Sequence, residues 1–410
     1  MRQPRKMRAA LAAAAALGFA YPGAATAVAD DCTNAQYRTG AAAQLPDCRA
    51  WEQVSPVDKG GNDIMNTSAV VTSPDGDRSM FYAAGLFAGA ETVTYETTYL
   101  GGRGAAGWTT RGVDGPLAIA PGFSIKSTYG LSDDGTKAVM SSTQALSPGA
   151  IEGGSNLYIR DLTKPSSFRL VVAIESKLFH ERLADFGGQF RYVGGNADLS
   201  ALTVVSETPL LDSVPDDGRL TTYLWRDGEL TVASRTTEGD LLDVSNRLAN
   251  TTPRRWRPLS EDGTRTWFYA SFGPSNEGQR ALYQHVAGEG TRLISRSHRT
   301  GDDQTVQRGA ADVFASADGR SVTFTSSRLP LTNDGLFGIY RWSADDDSLV
   351  NLLAPFDPDD GGSGFGPTLL GQSPDARYIW FYTFRPIVAG SVAGGGIYLY
   401  ALDTQAGALH

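Results

Sequence analysis

The side chains best suited to chemistry in this chain are arginine and aromatic residues in two short clusters. Arg191 is followed by Tyr192, and Arg255 is followed by Trp256 and Arg257. A guanidinium group offers a fixed fork of donors that matches carboxylate and phosphate oxygens, and adjacent aromatic rings add apolar contact. The two clusters therefore predict a site for an anionic ligand.

The alternative for these arginines is a purely structural role. Acidic side chains such as Asp185 and Glu238 occur near them in the sequence. Surface arginines commonly pair with such acids or remain solvated. The residues alone leave both interpretations open, with the ion pairs favoured.

No catalytic constellation is recognisable in the sequence. The four histidines, at positions 180, 285, 298 and 410, are scattered, and neither HExxH nor GxSxG occurs. We therefore favour a protein that is not an enzyme and that carries no cofactor.

A cation site is suggested only weakly. Asp357, Asp359 and Asp360 lie in a loop rich in proline and glycine, and their carboxylates are ligands of the type that Ca²⁺ prefers. The spacing of an EF-hand is absent, so a solvated turn is the favoured interpretation and no metal site is assigned.

The two cysteines, Cys32 and Cys48, predict a disulfide. They are the only pair in a chain that begins with an export signal, and their spacing is not C-x-x-C. A bridge closing such a loop contributes about 3 kcal/mol on the loop-entropy relation.

A four-residue phrase occurs six times in the chain, and it indicates the elements that position these residues. Its consensus is Ser-x-Asp-Gly, and an apolar run follows each copy. The copies are Ser73–Gly76, Ser132–Gly135, Asn196–Leu199, Ser260–Gly263, Ser316–Gly319 and Ser373–Ala376, which start 56 to 64 residues apart. A period of this size indicates a repeat architecture, and Asp-Gly between apolar runs indicates a hairpin turn. Leu199 and Ala376 replace the glycine, so a different turn type is expected in those two copies.

Further strand-like segments follow each phrase. A third strand with a shared tyrosine and a short fourth strand complete each repeat, as in Asn156–Arg160 followed by Arg169–Ile174. Four short strands per repeat predict an all-β, six-bladed β-propeller with four antiparallel strands in each blade. The last repeat is expected to end after its third strand, near Asp403. Trp51–Pro56 resembles the fourth strands, so we expect this N-terminal strand to close the ring within the last blade.

The phrase with its following apolar run resembles the WD40-like (PD40) repeat of TolB-like β-propellers of exported bacterial type, and it is similar to the propeller repeats of prolyl oligopeptidase-type enzymes. The likeness covers roughly residues 51–403. It implies the propeller fold and says little about activity. Counterparts of the TolB adaptor domain and of an α/β-hydrolase domain are not recognisable.

The N-terminus has the pattern of a secretory signal peptide. Four cations precede an uncharged stretch from Ala9 to Ala20, and small-x-small sites end at Ala27 and Ala29. We therefore expect residues 1–29 to be a signal peptide, 30–50 a disulfide-stapled arm and 51–410 the propeller. The protein is expected to be secreted or held in the cell envelope, with no integral membrane segment after cleavage.

The charge balance restricts the class of partner. The whole chain has a net charge of −9 from 36 basic and 45 acidic residues. Residues 1–29 contain four of the cations and no acid, so the remainder carries −13 (32 against 45). Such an acidic chain argues against nucleic acid as a partner.

The expected position of the arginine clusters links the fold to function. Arg191 and Arg255 both lie five residues before a copy of the phrase, so they should flank one mouth of the central channel on adjacent blades. We expect a module that binds a protein or a small anionic or sugar ligand there. The alternative is a propeller hydrolase or lyase that acts on an anionic or sugar substrate at the channel mouth.

Overall fold

In the computed structural model of the protein, the chain divides into two compact units, residues 1–53 and 54–410. The structure describes residues 35–44, 51–65, 71–73, 75–87, 89–90, 97–114, 128–175, 190–244, 258–271, 280–326, 330–334, 338–356, 366–384, 386–388 and 396–410. In the first unit these include two short 3-10 helices, Ala35–Tyr37 and Gly40–Gln44. Among the described residues, no helix has the length and apolar character that a membrane crossing requires.

The second unit contains six antiparallel sheets that follow one another along the chain. Sheet 1 contains β1 Val71–Thr72, β2 Arg78–Ala83, β3 Thr97–Gly104 and β4 Gly107–Gly112. Sheet 2 contains β5 Thr128–Leu131, β6 Lys137–Ser142, β7 Ser155–Asp161 and β8 Phe168–Ile174. Sheet 3 contains β9 Phe190–Gly195, β10 Ala201–Ser206, β11 Thr221–Arg226 and β12 Glu229–Val232. Sheet 4 contains β13 Arg265–Ser271, β14 Arg280–Val286 and β15 Gly290–Leu293. Sheet 5 contains β16 Ala311–Ala315, β17 Ser321–Ser326, β18 Gly338–Ser343 and β19 Leu349–Asn351. Sheet 6 contains β20 Thr368–Gln372, β21 Tyr378–Thr383, β22 Tyr398–Asp403 and β23 Ala408–Leu409. Six sheets of this kind are the blades of an all-β, six-bladed propeller, which confirms the predicted fold class.

In five sheets the repeated phrase forms the turn between the first two strands; in the fourth sheet, whose described strands are β13 to β15, the phrase precedes β13. In the fourth sheet, the Gly263 N–H donates to the Ser260 carbonyl at 3.0 Å. The Ser260 hydroxyl accepts the Arg265 N–H at 3.0 Å and donates to Asp262, whose carboxylate accepts the Thr264 N–H. The phrase therefore recurs because its serine and aspartate satisfy backbone donors that the tight turn exposes.

The expectation of a different turn type at Leu199 and Ala376 is wrong. Both residues adopt the left-handed backbone of the glycines they replace, with φ of 56° and 57°. Their N–H groups make the same bond, to the carbonyls of Asn196 and Ser373. The surrounding hydrogen bonds fix the turn strongly enough to hold an L-residue in a conformation that costs about 1–2 kcal/mol.

A buried tyrosine on the third strand anchors the preceding loop in most sheets. The Tyr158 hydroxyl donates to the Gln144 carbonyl at 2.7 Å and accepts the Leu146 N–H at 3.1 Å. The equivalent hydroxyls that accept a loop N–H belong to Tyr99, Tyr223, Tyr340 and Tyr400. The tyrosine that the sequence repeats is therefore a packing residue.

Side chains that reach from one sheet to the next hold neighbouring blades together. The Lys137 ammonium donates to the carbonyl of Asp198, and the Gln284 amide donates to the carbonyl of Gly319. Arg341 likewise donates to the carbonyl of Ala376. In each pair the acceptor lies in the turn phrase of the following sheet, so the turns also serve as attachment points between blades.

The expectation that an N-terminal strand completes the last blade is wrong. The chain continues beyond Asp403, and β23 pairs with β22 as the fourth strand of that sheet. Within the second unit, Val54 packs instead with Phe81 and Tyr99 of the first sheet, and its carbonyl accepts the Thr110 hydroxyl at 3.3 Å. Two apolar residues after a tight turn suffice to form the outer strand.

Candidate functional site

Four of the innermost strands share an irregularity a few residues before the turn phrase; we call the start of these strands, which faces away from the phrase, the bulged end. The register of β5, β9, β16 and β20 against their neighbours shifts by a β-bulge. In each case the bulge lies three or four residues before the phrase. Because bulges re-aim side chains, polar and aromatic groups here can point differently from those of a regular strand.

Arg191 and Tyr192 lie on β9, just before its bulge, and both are half-buried. The Tyr192 ring lies 6.4 Å from the Tyr129 ring of the second sheet. A Cβ at Gly130 would lie only 2.7 Å from the Tyr192 hydroxyl, so a larger residue there would force the Tyr192 ring to shift. Burial raises the pKa of Tyr192 further above neutral pH, where the phenol is protonated and able to donate.

Neither the Arg191 guanidinium nor the Tyr192 hydroxyl has a hydrogen-bond or ion-pair partner among the residues that the structure describes. Glu238, one of the acids considered as a partner, bonds instead to the Thr237 hydroxyl at 2.9 Å. Asp185 lies outside the described residues. The half-buried fork of donors at the start of β9 is therefore open to an acceptor from outside this part of the chain.

Most of the other predicted positions fall outside the described residues. These are Arg255, Trp256 and Arg257, the acidic loop residues Asp357, Asp359 and Asp360, and the cysteines Cys32 and Cys48. The predicted signal peptide, residues 1–29, also lies outside them. The structure thus positions one of the two predicted arginine clusters.

Acidic side chains at this end of the sheets join neighbouring blades. The buried Asp114 carboxylate accepts the Thr98 N–H at 2.6 Å and the Thr128 hydroxyl at 2.8 Å, which ties the first sheet to β5. Asp312 of β16 adopts a left-handed backbone with φ of 48°, and its carboxylate lies 3.4 Å from the Leu369 N–H of β20. Such strain in a non-glycine residue persists only where its surroundings enforce it.

Asp312 also belongs to a polar cluster that the sequence analysis did not identify. Burial and the negative charge of Asp312 raise the pKa of Tyr269, while the positive charge of Arg280 opposes this. Tyr269 lies on β13 of the fourth sheet, and Arg280 begins β14. No spacing motif relates the three residues, because sheet pairing and the contact with the next sheet bring them together.

The described histidines lie on the outer half of the sheets. His285 of β14 is buried, and its Nδ1 donates to the Thr291 hydroxyl at 2.9 Å, because that hydroxyl itself donates to the Ala233 carbonyl. Burial lowers the pKa of His285 to about 4, so its imidazole is neutral at physiological pH. His298 follows β15, and His410 ends the chain. Within the described ranges, no three His, Cys, Asp or Glu side chains are grouped as a metal would need.

The six turn aspartates have a structural role, because their carboxylates accept hydrogen bonds within the turns. Hydrogen bonds from the motif serine or from neighbouring residues lower the pKa of Asp75, Asp134 and Asp375. Burial opposes the effect at Asp198, Asp262 and Asp318, but their hydrogen bonds still hold the pKa below its usual value. In each of these carboxylates at least one oxygen accepts a backbone N–H within the turn.

Comparison with known proteins yields likeness of fold only. No protein-family model matches the chain, and no curated protein matches it in sequence. A solved structure assigned to TolB from Agrobacterium tumefaciens is 14% identical with a TM-score of 0.34, and the alignment covers 70% of this chain and 79% of that one.

Two peptidase structures also align with the chain. A prolyl endopeptidase is 13% identical with a TM-score of 0.43, over 85% of this chain and 49% of its own. A puromycin-hydrolysing peptidase from Mycobacterium tuberculosis is 13% identical with a TM-score of 0.40, over 84% of this chain and 52% of its own. The chain spans about half the length of these two peptidases. Structural similarity to TolB-like and prolyl oligopeptidase-type propeller domains is what these findings support.

Proposed function

We propose that the protein is an exported β-propeller that binds an anionic group at the bulged ends of its innermost strands. The observation that carries the proposal is the pair of donors on β9, Arg191 and Tyr192, which lack an acceptor among the described residues. Three hydrogen-bonding side chains in other sheets, those of Lys137, Gln284 and Arg341, are in contrast used between blades. A carboxylate or phosphate is the acceptor that best matches a guanidinium fork beside a phenol.

The neighbourhood of these donors favours binding over catalysis. General acid–base chemistry needs a titratable group within hydrogen-bond reach of the reacting atoms. Among the described residues, no carboxylate lies at that distance from Arg191, and His285 and His298 lie in the fourth sheet, on β14 and after β15. The hydrolase or lyase alternative therefore lacks a supporting observation at this site.

The test is a binding screen of the mature protein against small carboxylates, acidic sugars and phosphates, followed by titration calorimetry on any ligand found. Arg191→Ala should weaken binding about tenfold or more, since a charge-assisted hydrogen bond contributes about 1.5–3 kcal/mol. Arg226→Ala is the matched control, because Arg226 lies at the opposite end of the same sheet and only approaches Asp227 at 3.9 Å.

The outcomes distinguish an Arg191 that binds the ligand from one that does not. Loss of affinity in Arg191→Ala with full affinity in Arg226→Ala supports the site. Equal affinity in both variants and the parent protein contradicts it. Hydrolysis of a screened sugar or ester that survives repurification would favour the enzyme instead.

A further inference from the structure

The penultimate strand of each sheet contains a buried tyrosine, and the residue before it occupies an equivalent position in all six sheets. In sheets 1 to 6 these residues are Thr98, Leu157, Thr222, Leu282, Ile339 and Leu399. The first five are fully buried, with an exposed fraction of 0%, whereas Leu399 is 67% exposed. The sixth sheet therefore differs from the others at this position.

The third sheet shows how the backbone of this residue is normally bonded. The Ala233 N–H, just past the outer strand, donates to the Thr222 carbonyl at 2.9 Å. The Thr222 N–H in turn donates to the Ser234 hydroxyl at 3.0 Å. In the fourth sheet the equivalent residue, Leu282, makes the same two bonds, each at 2.8 Å. A backbone donor and a side-chain oxygen on consecutive residues thus complete the edge.

The remaining complete sheets follow the same rule. In the first sheet the Val113 N–H donates to the Thr98 carbonyl at 3.0 Å, and the Thr98 N–H donates to the Asp114 carboxylate at 2.6 Å. In the fifth sheet the Ile339 carbonyl accepts the Leu352 N–H at 2.8 Å. In the second sheet β8 continues along β7 past the equivalent residue. The outer part of each of these five sheets therefore covers this position.

In the sixth sheet, the outer strand leaves Leu399 uncovered. β23 pairs with Leu402 and Asp403, and His410 exchanges two backbone hydrogen bonds with Ala401, at 2.8 Å and 2.9 Å. Because alternate residues of an antiparallel strand direct their N–H and C=O groups to the same edge, those of Leu399 point outward like those of Ala401. Neither group of Leu399 has a hydrogen-bond partner at this edge among the described residues.

We call residues 396–400, which lead into β22, the open edge. Their sequence is Gly-Ile-Tyr-Leu-Tyr, which has neither the charges nor the proline that commonly protect an unpaired strand. Ile397 is 67% exposed, like Leu399. Five residues of strand extend over about 17 Å. An unpaired, uncharged edge of this length suits an added strand that supplies backbone hydrogen bonds.

We propose that the open edge binds an extended peptide segment of a partner protein, which adds to the sixth sheet beside β23. The bonds in the other sheets define the chemistry of that segment. It contains an apolar or small residue whose N–H donates to the Leu399 carbonyl, followed by a serine or aspartate whose side-chain oxygen accepts the Leu399 N–H. The pairs that play this part within the chain are Val113–Asp114, Ala233–Ser234 and Ile294–Ser295. The open edge is distinct from the anion site at Arg191, and the inference does not depend on that site.

The probe for this surface is a synthetic peptide with the sequence of Gly290–Arg296, which contains Ile294 and Ser295. It is acetylated and amidated at its ends, labelled with fluorescein and titrated with the full protein, and fluorescence anisotropy reports binding. We expect saturable binding that weakens at least tenfold in the Ile294→Pro peptide, because proline has no N–H. The Ser295→Ala peptide should bind about fivefold more weakly, as for the loss of one hydrogen bond.

Two variants of the protein locate the site. Leu399→Pro removes the N–H at the open edge and should weaken binding of the parent peptide at least tenfold. Proline is tolerated where the N–H of an edge strand faces solvent, so the sheet should persist. Leu399→Ala is the matched control, because it keeps both backbone groups and loses only the apolar side chain. It should retain more affinity than Leu399→Pro.

The outcomes decide the proposal from both sides of the contact. Equal affinity of Leu399→Pro and the parent protein for the peptide would overturn it. Equal affinity of the parent and Ile294→Pro peptides would also overturn it, and that comparison needs no variant of the protein. The absence of binding at millimolar peptide has the same meaning. A dimer of the parent protein that Leu399→Pro dissociates would assign the open edge to a second copy of the chain instead.

Discussion

The two ends of the sheets use the same kinds of polar residue in opposite ways. At the turn end, Ser260 and Asp262 satisfy each other and the backbone of Arg265 and Thr264. At the bulged end, Arg191 presents donors with no acceptor among the described residues. The difference teaches that repetition of a polar residue in this chain signals a structural role, whereas an unrepeated polar residue beside a bulge is the better candidate for function.

The largest expected effect comes from crowding a turn that touches the neighbouring sheet. Gly263 has φ of 65°, and a Cβ there would lie 2.4 Å from the Ala201 Cβ of the third sheet. Gly263→Ala should lower the free energy of unfolding by about 3 kcal/mol, from backbone strain and overpacking together. Chemical denaturation measures this.

Gly76→Ala is the control for that change. Gly76 has φ of 77° but nothing within 4 Å of the Cβ position, so only the strain of about 1–2 kcal/mol should appear. If Gly76→Ala were as costly as Gly263→Ala, the turns would not serve as contacts between blades.

The second expected effect is a dependence of stability on pH in which the buried histidine and the turn carboxylates act in different pH ranges. The folded pKa of His285 is about 4, against about 6.5 unfolded, so the unfolded state takes up the proton first and stability falls as pH drops from about 6.5 to 4. The turn aspartates have lowered pKa values, so their contribution is complete above about pH 4 and is lost below it.

Melting temperature against pH should therefore fall in two stages. In His285→Gln the upper stage should disappear and the lower stage remain. A parent protein whose melting temperature is constant from pH 7 to 4 would contradict the burial of a neutral His285.

The smallest expected effect is a gain in stability from a substitution at Ala376. Ala376 is held at φ of 57° by the same turn that elsewhere uses glycine. Ala376→Gly should raise the free energy of unfolding by up to about 1 kcal/mol, because it removes left-handed strain but adds freedom to the unfolded chain. Leu199→Gly is the contrasting variant: Leu199 is buried in a core cluster, so losing its side chain should outweigh the relief.

The turns and strand pattern were predictable from the sequence because their interactions are local. Ser260, Asp262 and Gly263 bond within one phrase, so the phrase is itself the signal. The outer strand β23 was not predictable, since two residues carry no periodicity. The cluster of Tyr269, Arg280 and Asp312 depends on contacts between strands and between sheets, which no linear spacing records.

The most direct test of the contrast between the two ends is the unfolding free energy of Ser260→Ala and Arg191→Ala, measured side by side without ligand. Ser260→Ala should lose about 1–3 kcal/mol, because the Arg265 N–H is left without its acceptor. Arg191→Ala should stay within about 0.5 kcal/mol of the parent protein, as for a side chain with no structural partner. A loss in Arg191→Ala equal to that in Ser260→Ala would show that Arg191 is a structural residue and contradict the account.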